Sequence, residues 1–144
     1  RHPATFVHSL WTHRSKKKGH GDEWNWHPDI RLEQECQSKD YNTFVENVIS
    51  RENIVWDYYQ HYFGKYPNVQ YCKMEQLPVS LNHVLKLNNE DFDEQAIIDN
   101  IYVHGANDRT KNTPVTLETS MTSDQCKRLM KSETKLQEFE YNAF

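Results

Sequence analysis

The chain is poor in the features that mark several protein classes. Its 144 residues include only four glycines and five prolines, with no biased tract longer than a few positions, which excludes collagen-like, Gly/Ser-linker and solenoid architectures. No uninterrupted apolar stretch exceeds a few residues, so no segment reads as a bilayer span. The first apolar segment is interrupted by Pro3, His8 and Thr12 and does not read as a signal peptide. Three cysteines, Cys36, Cys72 and Cys126, are odd in number and far apart. They cannot form a complete disulfide framework and favour a reducing, cytoplasmic setting. Basic residues are not in excess: the formal net charge is −4, which discourages a nonspecific nucleic-acid binder. A chain of this length buries about two thirds of its unfolded surface, enough for one core and not for two.

Aromatic residues are what the chain has in quantity. A mean hydropathy of −0.97 pulls toward disorder, but four Trp, eight Tyr and six Phe pull back, because disordered chains are poor in large apolar side chains. The charge is also unevenly placed. Residues 1–20 hold five basic side chains (Arg1, Arg14, Lys16, Lys17, Lys18) and no acidic one. An anionic ligand is therefore sought at this end.

Hydrophobic periodicity predicts mostly helix. Pro3 suits a first helical turn, and Phe6, Val7, Leu10 and Trp11 make an apolar stripe, so a helix is expected over residues 3–17. Residues 19–40 are polar apart from Trp24, Trp26 and Pro28, and read as a long substrate loop or disordered connection. Thr43 to Glu46 matches a capping box opening a helix with Phe44, Val48 and Ile49 inward. Ile54, Val55, Tyr58, Tyr59, Tyr62, Phe63 and Tyr66 continue at helical spacing, a pattern that core packing is sufficient to explain. Residues 68–74 follow a Pro-Asn turn signal and are rich in strand formers, which predicts one strand. Helices are expected again around residues 81–87, 91–104 and 122–139, the last opened by the capping box Thr122 to Gln125. One strand cannot make a sheet. The inventory therefore reads as part of a helix-coated α/β domain, a single partial domain over residues 1–144.

Arg1 and Ser9 form the candidate ligand clamp. A planar guanidinium beside a helix N-terminus can grip phosphate through two parallel charge-assisted hydrogen bonds. Ser9 follows His2 by seven residues, about two helical turns, which returns its hydroxyl to the same face. With Pro3 in place, this Arg-to-Ser spacing resembles the second nucleotide-binding motif of the sulfotransferases that use 3'-phosphoadenosine 5'-phosphosulfate. The likeness continues over Pro67, Asn68, Val69, Gln70, Tyr71, Cys72, Lys73, Met74, Glu75, Gln76 and Leu77. There the family carries Pro, Asn, Val, apolar positions, then Arg, Tyr, Glu, Asp and Leu; Glu75 and Leu77 keep their places, whereas Lys73, Met74 and Gln76 depart.

The resemblance implies a C-terminal portion of a P-loop-like three-layer α/β sulfotransferase fold, mostly helical with one or two parallel strands. It implies 3'-phosphoadenosine 5'-phosphosulfate as co-substrate, without a metal, and in-line transfer of a sulfuryl group to a hydroxyl or amine of a small-molecule or glycan acceptor. Arg1 and Ser9 would hold the 3'-phosphate, away from the bond that breaks. The basic run around Arg109 and Lys111 would assist them, and Trp24 and Trp26 would line the acceptor loop. No segment matches the family's phosphosulfate loop and no Walker-type sequence is present, so the chain reads as a fragment whose catalytic residue is unassigned.

Eight histidines invite a metal reading, but the spacing of His2, His8, His13, His20 and His27 lacks the geometry that sets two imidazoles on one ion. One of His8, His13 and His20 could serve as a general base. The run Arg14 to Lys18 is also what a solvated helix end shows. The alternative from another class is a noncatalytic helical binding domain that engages an anionic partner through this basic segment.

Overall fold

The computed structural model describes residues 1–15, 26–103 and 120–139. Among these residues the chain holds seven α-helices and short 3-10 turns, and no strand. The expected α/β, P-loop-like three-layer arrangement is therefore corrected to a helical one. The reason lies in residues 68–74. They run as extended or irregular backbone into a 3-10 turn at Met74–Gln76, where Gln76 N–H donates to Lys73 O and Leu77 N–H to Met74 O. Strand-forming side chains do not make a strand unless a neighbouring chain segment satisfies the ladder.

The chain divides into two compact units, each described by itself. The larger comprises His2–Val69 and the segment from Thr116. Its helices are α1 (Pro3–Arg14), α2 (Arg31–Cys36), α3 (Tyr41–Ile49), α4 (Ile54–Phe63) and α7 (Ser123–Ser132), the last followed by a 3-10 turn at Thr134–Phe139. Pro3 occupies the first turn of α1 as expected, and the buried positions Val7 and Leu10 form its inward stripe. The long stretch expected as loop contains α2, which buries Leu32 and Cys36. Helix α3 starts at Tyr41 and not after Thr43, because the Asp40 carboxylate accepts both the Thr43 N–H and the Thr43 hydroxyl at 2.7 Å. An Asp three residues ahead caps as well as the expected Thr box and takes precedence here.

The core of this unit joins Val7 and Leu10 of α1, Phe44, Val45 and Val48 of α3, Ile54 and Val55 of α4, and Leu129 of α7. Each helix buries one stripe and gains most of its stability from that packing, since helices of 6 to 12 residues are marginal alone. The capping box at Thr122 is formed as read from sequence: the Gln125 N–H donates to the Thr122 hydroxyl and the Thr122 N–H to the Gln125 side chain.

The smaller unit comprises Arg1 and Gln70–Val115. Among the described residues it contains the Met74–Gln76 turn, α5 (Val79–Leu87) and α6 (Glu94–Val103). Asn89 adopts φ 53° just past α5 and ends that helix, a left-handed conformation that Asn tolerates better than most residues. Asp93 opens α6 by accepting the Ala96 N–H at 3.0 Å. Glu94 then ties the two helices together, accepting from Asn82 at 3.2 Å and pairing with Lys86 at 2.7 Å.

Candidate functional site

The residues singled out from sequence fall into three groups. Arg109, Lys111 and Trp24 lie outside the described residues. Arg1 belongs to the smaller unit and Ser9 to the larger, so the two members of the expected clamp are described separately. Ser9 is an exposed position on α1. Trp26 is half-buried and packs on Phe44, with ring centroids 5.3 Å apart; it contributes to the core margin of the larger unit.

Arg1 has a definite setting within its unit. Its guanidinium donates from Nη2 to the sulfur of Met74 at 3.3 Å. That contact links Arg1 to Met74, one of the positions that depart from the sulfotransferase pattern. A thioether is a weak acceptor and carries no charge, so it orients the fork without neutralising it. The Glu75 carboxylate lies 4.0 Å from the Arg1 amino group, so the arrangement is a positioned guanidinium with an acid beside it.

The described histidines have separate environments. His2 is buried and caps α1, its Nδ1 accepting the Ala4 N–H at 3.2 Å. His8 lies edge-on to Tyr41, 5.6 Å between centroids, and burial lowers its pKa. His13 is exposed. The His27 ring stands 6.0 Å from that of His61. Among the described residues no group of three or more His, Cys, Asp or Glu side chains could hold a metal ion.

Two buried carboxylates were missed by sequence reasoning. Glu33, on α2, is fully buried; Arg14 of α1 approaches its Oε2 to 2.9 Å and the His27 N–H donates to the same oxygen at 2.7 Å. The Arg14 Nε–H is not aligned for a hydrogen bond and Glu33 Oε1 has no hydrogen-bond partner, so the pair is held by Coulombic attraction more than by geometry. Arg14, counted above among the basic N-terminal charges, thus faces an acid inside its own unit. Glu133, at the end of α7, is also fully buried, and its two oxygens accept the Val55 N–H at 2.8 Å and the Trp56 N–H at 3.1 Å. Neither position carries a sequence signal, because the partners are 19 and about 78 positions away in the chain.

Burial also raises three weak acids. The thiol of Cys36 and the hydroxyls of Tyr41 and Tyr58 are each pushed up to about 12, with desolvation the leading cause. These groups are protonated at neutral pH and are poor nucleophiles or bases there.

Comparison of the chain with protein-family models, with curated proteins and with solved structures returns no match in any of the three. Among the described residues no helix is long and apolar enough to cross a membrane.

Proposed function

We propose that this chain binds the 3'-phosphate of a nucleotide sulfate donor through Arg1 and takes part in sulfuryl transfer to a hydroxyl or amine acceptor. The reading rests on ligand chemistry and on the resemblance in residues 1–9 and 67–77, and no longer on a parallel sheet. One observation carries it: the Arg1 guanidinium is seated on Met74 at 3.3 Å within one compact unit. The thioether leaves further guanidinium N–H donors in a fixed plane for an incoming phosphate, while the Glu75 carboxylate, 4.0 Å from the Arg1 amino group, is an acid that phosphate would have to approach. The task of Arg1 in this reading is to bind and orient the donor, which lowers the entropic cost of alignment for in-line transfer.

The test is thermal stabilisation by adenosine 3',5'-bisphosphate. A ligand at 100 times its dissociation constant adds about 2.7 kcal/mol to the folded state. A rise in melting temperature that is lost in Arg1→Gln supports the proposal. Absence of any shift at millimolar ligand refutes it.

A second reading, a noncatalytic helical binding domain for an anionic partner, is favoured by the helical character of every described element. It predicts that a nonadenylate polyanion stabilises the protein and the bisphosphate does not. The pairing of Arg14 with Glu33 weighs against Arg14 as a contact for that partner.

A further inference from the structure

The smaller unit does not bury the apolar residues it carries. Among its described side chains, residues 70–99, only Pro78 and Asn82 are buried. Leu81, Val84 and Leu85 of α5 and Ile97 and Ile98 of α6 stay half-exposed, and Val79 and Leu87 are 73% and 63% exposed. By contrast, the whole hydrophobic core of the described chain lies in the larger unit. Helices of nine and ten residues draw their stability from packing, so α5 and α6 are short of the burial that holds the other helices. Val79, His83 and Leu87 are spaced four residues apart and all exposed; they follow one line along the outer face of α5, bordered by Val84. Hydrogen bonding is incomplete as well. Asn82 donates through Nδ2 to Glu94, but its buried Oδ1 has no partner.

The charge beside this face has one sign. Residues 87–103 hold Glu90, Asp91, Asp93, Glu94 and Asp99 and no Lys or Arg. Glu94 is paired with Lys86. The other four acids are exposed, and among the described residues none of them is in an ion pair; Asp93 and Asp99 accept only the Ala96 N–H and the Gln95 amide. A second copy would bring the same carboxylates against these, so self-pairing is opposed by like charge. An amphipathic helix with an apolar stripe and cationic flanks complements both the unburied face and its acidic border.

We propose that α5 and α6 form the docking face for a basic amphipathic helix of a partner protein, whose apolar stripe covers Val79 and Leu87 and whose cations meet Glu90, Asp91, Asp93 and Asp99. The aliphatic side chains supply the contact that the unit lacks, and the carboxylates set partner choice and orientation. This interaction does not depend on phosphate binding by Arg1.

The probe is a peptide of leucine and lysine patterned as an amphipathic helix, about 18 residues long. Its controls are a leucine–glutamate peptide of the same pattern and a leucine–lysine peptide scrambled to have no apolar face. The full chain is titrated with each, following anisotropy of the labelled peptide and amide exchange of the protein. Only the patterned basic peptide should bind saturably, slowing exchange over residues 79–99. Val79→Ser with Leu87→Ser should weaken binding by about tenfold. Glu90→Gln with Asp91→Asn should weaken it and flatten its salt dependence. Both pairs lie on the surface, and an unchanged far-UV spectrum shows that the variants fold; should either spectrum change, the exchange map of the wild-type complex decides. No binding by the patterned basic peptide, equal binding of either control, protection outside residues 79–99 or full affinity in either double variant overturns the proposal. So does a concentration-dependent dimer of the free chain that protects these same residues, because a second copy would then be the occupant.

Discussion

Removing the positive partner of Glu33 should be among the most damaging changes in the larger unit. In Arg14→Met the length and much of the apolar stem of the side chain are kept, while the charge 2.9 Å from Glu33 is lost. The Glu33 side chain is 0% exposed, whereas Arg14 is 17% exposed. Breaking a buried pair from one side costs about 3–5 kcal/mol, chiefly because the remaining charge is left without compensation. The partial exposure of Arg14 and the poor alignment of its Nε–H place the expected cost at the lower end, about 3 kcal/mol. Glu33→Gln alone keeps an acceptor for the His27 N–H and leaves a cation that water can partly reach, so its cost should be smaller, about 1–2 kcal/mol. In the double variant no unpaired buried charge remains. Its loss should therefore fall below the sum of the single losses by about 1–3 kcal/mol. Urea unfolding of the four proteins at pH 7, followed by tryptophan fluorescence, measures this coupling. Additivity to within about 0.5 kcal/mol would refute the assignment of Arg14 as the compensating charge.

Three further outcomes follow from the same packing. Thr122→Ala should destabilise α7 by about 1 kcal/mol in urea unfolding, because the Gln125 N–H loses its hydroxyl acceptor; an unchanged midpoint would remove the cap from the account. Cys36, with its thiol pushed up to about 12 by burial, should resist iodoacetamide in the native protein at pH 8 and react on unfolding; rapid native labelling at Cys36 would contradict its place in the core. Trp26→Ala should lower stability by about 2 kcal/mol through lost contact with Phe44. If Trp26 acts only on an acceptor, stability would be unaffected and the acceptor KM would rise.

Much of the helical content was legible in the chain. Val7 and Leu10 recur at helical spacing, Pro3 marks a first turn, and Thr122 with Gln125 closes a reciprocal cap, all of which are local relations within a few residues. The Asp40 cap of α3 was equally local and lay in plain view three residues before Thr43; the Thr43 box competed with it for the same helix. Residues 68–74 misled for a different reason. Their side chains favour extended backbone, but a strand exists only when another strand supplies its hydrogen-bond partners, and no local pattern states whether one does. Arg1 and Ser9 were found by spacing alone, which says nothing of the acceptor each residue meets.

The sequence by itself determined where several helices can start and where basic charge is concentrated, because those properties depend on neighbours within one or two turns; it did not determine the burial of the aromatic run after Val55, since Tyr62, Phe63 and Tyr66, read at core spacing, are exposed. Only the tertiary structure decided that Arg14 answers Glu33, that Arg1 rests on Met74 and that Glu133 caps a helix begun nearly 80 residues earlier. Burial is the physical reason. A carboxylate in water needs no particular partner, whereas one enclosed by the fold must find a cation, a row of N–H donors or a proton, and which of these it meets is set by segments far apart in the chain.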